Sequence, residues 1–80
     1  MKLFLVIYAG SQIGGFAGPL PYGMDECVKR RDTFRASQAE VIESGFSAQM
    51  NRKLTDAEMK DIRAMRFECE WRGLKPELSA

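Results

Sequence analysis

The chain contains two cysteines, and their thiols are its most reactive side chains. Cys27 falls in the first turns of a predicted helix and is followed by Lys29, Arg30 and Arg31, a positive environment in which a thiol ionises more readily. Cys69 lies far along the chain, in a predicted strand. A disulfide between the two would contribute about 4 kcal/mol in an oxidising compartment, whereas a cytoplasm would keep both thiols reduced. Cys27 could have a redox role or could simply pack in the core. Its place on the apolar stripe of the helix favours core packing.

The remaining polar residues do not form a catalytic or metal-binding pattern. The chain has no histidine, so it lacks the usual general base and the commonest metal ligand. Two cysteines this far apart give no zinc ligand pair at short spacing. The glycines from Gly10 to Gly18 lack the Gly-Lys-Ser/Thr ending of a phosphate loop and indicate a hairpin with a bulge. We therefore predict a protein that is not an enzyme and that uses neither a metal nor a cofactor.

Charged and apolar residues alternate without interruption from position 65 to position 72. This period of two predicts a half-buried strand with Arg66, Glu68, Glu70 and Arg72 on one face. Two neighbouring carboxylates can perform acid–base chemistry, but the flanking arginines favour a solvated ladder of charges. The apolar face, which carries Cys69, is predicted to turn toward the core.

Polar residues interrupt the apolar stripe of the predicted first helix. At about 100° per residue, Arg31, Arg35 and Gln38 fall inside that stripe. Because an unpaired buried cation is costly, these side chains must reach the rim, pair with a carboxylate or meet an acidic partner. Glu68 and Glu70 are predicted on the far face of the sheet, where they cannot easily neutralise the arginines. The interpretation we favour is internal, with these side chains at the rim or paired with Glu40, Glu43, Glu68 or Glu70. The predicted distance from Glu68 and Glu70 adds weight to the alternative, a partner-binding surface that includes the three helix residues and the four charged residues of the last strand.

The overall charge is close to neutral, with 12 basic and 11 acidic residues. Proteins that bind nucleic acid through phosphate contacts usually carry a clear basic excess, so this function is disfavoured. A nucleic-acid-binding module remains an alternative, with a basic surface formed by Lys29, Arg30, Arg31, Arg35, Arg52 and Lys53. No apolar stretch approaches the roughly 20 residues that a membrane-spanning helix needs. We predict no membrane partner.

The first nine residues admit two interpretations. Lys2 and the apolar run behind it resemble a short secretory signal peptide that ends near Ala9. The run is also β-branched and aromatic, which favours a buried strand that is apolar on both faces. If the short second helix leaves one of those faces uncovered, the strand presents an apolar interface strip.

Turn and cap signals place the first half of the fold. A hairpin at Gly10 leads into a second strand over residues 12–17, which two prolines end. Gly23 is an acceptable N-cap for a helix that runs to about Ser44, and Gly45 closes that helix in a left-handed conformation.

A capping box starts the second helix. Thr55 and Glu58 have the required spacing, and the helix should give way to strand geometry near Ala64. The sequence thus predicts one small α+β domain over residues 1–80, in the order β-β-α-α-β. About three strands form an antiparallel or mixed sheet, and one long helix packs on it. The small core and the doubly apolar first strand also predict a homodimer.

One segment, residues 18–22, lies ahead of the helix with Cys27, and a second comprises residues 67–71 followed by residues 76–78. Together these segments resemble small accessory proteins that phages and prophages encode. The resemblance implies an anti-CRISPR-like inhibitor of a bacterial protein or ribonucleoprotein complex, acting in the cytoplasm of the host cell. It implies no catalytic residue, and the balanced charge departs from acidic mimics of nucleic acid. The alternative is an exported, periplasmic protein with a Cys27–Cys69 disulfide after signal cleavage.

Overall fold

The computed structural model describes residues 1–77 and shows an α+β fold. The predicted class and the order of the main elements are confirmed, while a small hairpin between the helices is an addition that the sequence pattern does not predict. The elements are β1 (Lys2–Ala9), β2 (Gln12–Ala17), α1 (Met24–Ser44), β3 (Phe46–Ser47), β4 (Arg52–Lys53), α2 (Asp56–Ala64) and β5 (Met65–Arg72). Among the described residues, no helix is both long and apolar enough to cross a membrane.

The main sheet is antiparallel and has the order β2-β1-β5. β1 is the central strand, and it pairs with β5 along its whole length, from Lys2 opposite Arg72 to Ala9 opposite Met65. The strand prediction for the N-terminal run is therefore confirmed. Cleavage of a signal peptide after Ala9 would remove the central strand and leave β2 and β5 without a pairing partner. In β2, Gly14 is the extra residue of the predicted bulge.

The core lies between the sheet and α1. Leu3, Leu5 and Phe67 form its buried cluster on the sheet side, and Cys27 is the one buried residue that α1 contributes. The broad apolar stripe predicted for this helix does not become a buried face. Phe34, for example, keeps 48% of its surface exposed. The polar residues within the stripe are the physical reason, because they cannot be pressed against the sheet.

The opposite face of the sheet also buries apolar side chains. Phe4 and Val6 alternate with the core residues of β1 and are 2% and 0% exposed. The ring of Phe16 packs edge-on against Phe4 at 5.9 Å between centroids. Gly18 also approaches Phe4 closely, at a φ of 142°, and a Cβ atom there would lie 2.6 Å from the phenyl ring. The alternative of an exposed apolar strip along β1 is therefore wrong for these two residues.

Helix caps explain where both helices begin and end. α1 starts after Gly23 and stops at Gly45, whose φ is 67° and whose N–H donates to the Val41 carbonyl at 2.8 Å. α2 starts with the predicted capping box: Thr55 Oγ1 accepts from the Glu58 N–H at 3.2 Å, and the Glu58 carboxylate accepts from the Thr55 N–H at 2.9 Å. β5 then begins at the residue after α2, as the alternating pattern predicts.

Candidate protein-binding site

A disulfide holds the N-terminal end of α1 on the sheet. It joins Cys27, in the first turns of the helix, to Cys69 in β5, with the two Cα atoms 6.2 Å apart. Cys27 is 1% exposed, so it fills a core position as predicted, but it does so as half of a crosslink. Neither cysteine of the described residues carries a free thiol. A redox role for an isolated Cys27 thiol has no support in this arrangement.

Arg35 ties the middle of α1 to the outer edge of β5. Its Nη2 atom donates to the Phe67 carbonyl at 2.9 Å and to the Glu68 carboxylate at 3.1 Å. The prediction that Glu68 cannot neutralise this arginine is wrong. β5 is an edge strand, so a long side chain from the helix reaches around that edge to a carboxylate that starts on the other face.

Gln38 ties α1 to the junction of α2 and β5. Its side-chain nitrogen donates to the Ile62 carbonyl at 2.7 Å and to the Met65 carbonyl at 2.8 Å. These carbonyls lie at the end of α2 and the start of β5, so one amide serves both elements. Gln38 thus occupies the Met65 carbonyl and Arg35 occupies the Phe67 carbonyl, both on the edge of β5 that faces away from β1. Occupied carbonyls limit the pairing of another strand along this edge.

Arg31 is the third polar residue of the predicted stripe. Its side chain is 22% exposed and forms an ion pair with Asp32 at 3.1 Å. Arg31, Arg35 and Gln38 thus all have partners within the chain. Their role in partner binding stays a prediction, and it would require these internal contacts to be shared or exchanged.

The outer face of β5 carries a connected polar cluster. The Tyr8 hydroxyl donates to Glu70 at 2.5 Å, Arg72 donates to the same carboxylate at 2.9 Å, and the Arg66 guanidinium lies 4.6 Å from the centroid of the Tyr8 ring. Burial by itself would raise the pKa of Glu70, but the hydrogen bonds from Tyr8 and Arg72 outweigh it, so this pKa is lowered. The pKa of Tyr8 is raised, chiefly by its hydrogen bond to Glu70. The predicted binding residues therefore fall on two separate surfaces, the β5 edge and this outer face.

Ion pairs neutralise most of the predicted basic surface. Besides the pairs of Arg31 and Arg35, Arg30 binds Glu26 at 3.1 Å, and Arg52 binds Glu58 through both guanidinium nitrogens at 2.8 and 2.7 Å. The hydrogen bonds from Arg52 and from the Thr55 backbone lower the pKa of Glu58 to about 2. Four of the six basic residues of the nucleic-acid alternative thus face carboxylates of the same chain. This arrangement offers little free charge to a phosphate backbone.

An apolar groove of about 540 Å³ lies between α1, the β3–β4 hairpin, the end of α2 and the start of β5. Its polar lining includes Glu40 as the one charged side chain. The apolar side chains that line it are Phe34, Val41, Met50, Ile62, Met65 and Phe67.

Two large side chains of the groove are half exposed. Phe34 on α1 is 48% exposed and stacks on the Phe67 ring at 5.5 Å between centroids. Met50 in the hairpin turn is 47% exposed, and its backbone N–H donates to the Ser47 hydroxyl at 3.2 Å. Ser47 is itself nearly buried, so it anchors the turn that presents Met50. Sequence reasoning misses this groove, because no helix or strand signal places the segment from 46 to 53 against α1.

Trp71 is also more exposed than the alternating pattern predicts. It lies on the predicted face of β5, yet 51% of its surface is open. α1 runs antiparallel to β5, since Cys27 meets Cys69 and Phe34 meets Phe67. The helix therefore begins beside Cys69 and leaves Trp71 beyond its N-terminal end.

Within residues 1–77, no group of three or more His, Cys, Asp or Glu side chains is placed to hold a metal ion. Comparison with known proteins found no matching family model, no matching curated protein and no matching solved structure.

Proposed function

We propose that this chain is a non-enzymatic binding protein that inhibits or redirects a bacterial protein or ribonucleoprotein complex, and that the apolar groove is its contact surface. The observation that carries the proposal is the pair Phe34 and Met50, large apolar side chains that are both about half exposed on different walls of one groove. Aromatic residues and methionine are enriched at protein interfaces, and flexible methionines suit surfaces that adapt to a partner.

The reactive side chains of the chain support a binding role over a catalytic one. Cys27 and Cys69 are joined to each other, Glu68 is paired with Arg35, and Glu70 accepts hydrogen bonds from neighbouring side chains. Groups that are engaged in this way hold the fold together and are not positioned around an open pocket.

The lining of the groove indicates the chemistry of the partner. Its walls are apolar, and Glu40 is the one charged residue on them. A fitting partner segment therefore inserts a bulky apolar side chain and carries a lysine or arginine beside it. An amphipathic helix laid along α1 would meet both conditions.

A capture experiment with matched variants tests the proposal. Met50→Glu places a charge in the groove at an exposed position, whereas Ala36→Glu places the same charge at an exposed position of α1 that does not line the groove. We expect at least one protein from the native bacterial host to be retained by the wild-type chain and by the Ala36→Glu variant but not by Met50→Glu. Equal retention by both variants, or no retained protein at all, would contradict the proposal.

The disulfide favours a second candidate, an exported protein that acts in the periplasm. Cys27 and Cys69 would stay paired there, whereas a reducing cytoplasm opposes the bond. This candidate must keep β1, because the fold depends on its central strand. Alkylation of the naturally produced protein before and after reduction separates the two candidates, because the cysteines of an exported protein should be labelled only after reduction. Homodimerisation stays a prediction for either one.

A further inference from the structure

A disulfide and a few polar contacts, which we call tethers, hold α1 on the sheet more than the burial of apolar side chains does. Of its 21 residues, only Cys27 is buried, and Phe34 covers Phe67 with a ring that is itself half exposed. Met24 is partly buried against the core cluster, and the other contacts are the polar ones of Arg35 and Gln38. A helix with so little buried apolar surface gains little from the hydrophobic effect, so its attachment depends on those few contacts.

The tethers are distributed unevenly along the helix. The polar contacts to β5 and α2 begin at Arg35 and hold the C-terminal segment, residues 35–44. The N-terminal segment, residues 24–34, has the disulfide at Cys27, the partly buried side chain of Met24 against the core cluster and the stacked ring of Phe34. Arg30 in this segment binds Glu26 within the helix and lies over the ring of Tyr22, which precedes the helix and packs against the core cluster.

The sheet has apolar packing that does not involve α1. Phe4 and Val6 are buried on the face opposite the helix, where Phe16 packs against Phe4. Pairing of β1 with β5 over eight residues is likewise independent of the helix. Release of the N-terminal segment would expose Leu5 and Phe67, but it would leave this second cluster intact.

We infer that the Cys27–Cys69 bond is a redox-controlled latch for the N-terminal segment of α1. Oxidation holds the segment on β5, and reduction by a dithiol lets it separate from β5 between two anchors. These are the hydrogen bond from the Leu20 N–H to the Leu3 carbonyl before the helix and the contacts of Arg35 and Gln38 after the segment. The apolar surface of Leu5 and Phe67 then becomes available. The inference concerns the attachment of the helix and does not depend on the groove being a binding site.

An external dithiol can reduce the Cys27–Cys69 disulfide in two exchange steps. A thiolate of the dithiol attacks the Cys69 sulfur, because Cys69 is partly exposed while Cys27 is 1% exposed. The bond between Cys27 and Cys69 breaks, and the Cys27 sulfur leaves as a thiolate that takes up a proton. The second thiol of the reagent then displaces the Cys69 sulfur, which also becomes a thiol. The protein gains two electrons and two protons, and the dithiol becomes a disulfide.

Hydrogen exchange resolved along the chain tests the latch. The wild-type protein is compared before and after treatment with dithiothreitol, and the Cys27→Ala/Cys69→Ala double variant is measured with and without the same reagent. In the reduced wild-type protein we expect the amides of β1, β5 and the C-terminal segment to exchange at most about 10³-fold faster, because the lost loop-closure constraint lowers the stability of the whole fold. The amides of residues 28–34 should accelerate by at least about tenfold more than these, because they also exchange through local release of the segment. The double variant should match the reduced wild type and ignore the reagent.

Two other results would overturn the inference. Equal acceleration throughout the sheet and the helix would show that the disulfide stabilises the whole fold and releases no particular segment. An unchanged exchange pattern after complete reduction, verified by mass, would show that other contacts suffice to hold the helix. If the double variant fails to fold, the reduced wild-type protein still decides between these outcomes.

Discussion

Replacement of Gln38 should reveal how strongly one side chain joins three elements. The amide donates to the Ile62 and Met65 carbonyls at 2.7 and 2.8 Å, and Gln38→Met keeps the size of the side chain but removes both donors. The Ile62 carbonyl still accepts from the Met65 N–H at the end of α2. At about 1 kcal/mol for each neutral hydrogen bond, the free energy of unfolding should fall by about 2 kcal/mol. For a domain of this size, that corresponds to a decrease in Tm of roughly 8–16 °C.

Gln38→Glu sharpens the test because the new group is similar in shape but cannot donate when ionised. Near neutral pH the introduced carboxylate would face two carbonyl oxygens, so the loss should exceed that of Gln38→Met by about 1 kcal/mol or more. On acidification the carboxyl group becomes a donor, and part of the difference should be recovered.

Urea unfolding of both variants beside Gln49→Met measures these losses. Gln49 is an exposed amide that lines the same groove, so its replacement controls for the general effect of a new methionine. The slope of unfolding free energy against urea should stay constant across the set. If Gln38→Met and Gln49→Met lose the same amount, or if Gln38→Glu shows no recovery in acid, Gln38 does not join the helices as described.

The remaining predictions concern the crosslink and two titrating groups. Cys27→Ala/Cys69→Ala should lower the free energy of unfolding by about 4 kcal/mol under oxidising conditions and by nothing relative to the reduced wild type, as measured in urea; equal stability of all forms would contradict this. The pKa of Glu58 is lowered to about 2, so its contribution to stability is present above pH 4.5 and lost as the pH falls toward 2. Glu58→Gln, which keeps a capping-box residue, should flatten that part of an acid unfolding curve, and an unchanged curve would exclude this carboxylate as the cause. The pKa of Tyr8 is raised above 10 by Glu70, so its share of stability is present below pH 10 and lost at higher pH. Glu70→Gln should bring the ultraviolet titration of Tyr8 back toward 10, and an unchanged midpoint would rule out the hydrogen bond as its origin.

Local signals in the sequence predict much of this fold because their physics is local. The capping box of Thr55 and Glu58 uses contacts within one turn of helix, and Gly45 ends α1 through its own backbone conformation. The alternation that ends at Arg72 likewise needs only the period of a strand. The sequence therefore predicts where these elements begin or end, and the structure confirms these positions.

The candidate site was less predictable because it depends on relations between elements. A helical projection identifies which face of α1 is apolar, but it does not say how closely that face approaches the sheet. It therefore predicts a buried Phe34, whereas 48% of this residue is exposed. The contact of Arg35 with Glu68 exists because β5 lies at an edge of the sheet, which strand periodicity does not encode. Met50 lies in a hairpin whose strands are two residues each, too short to leave a pattern.

The most direct test of the proposed function is site-specific photo-crosslinking in the native bacterial host. A photoreactive amino acid is placed in turn at position 50 in the groove, at position 36 on the exposed side of α1 and at position 66 on the outer face of the sheet. All three native residues are exposed, so each probe can reach a bound partner. A partner that occupies the groove should crosslink to position 50 and to neither of the others. Crosslinks confined to position 36 or position 66 would contradict the groove as the contact surface.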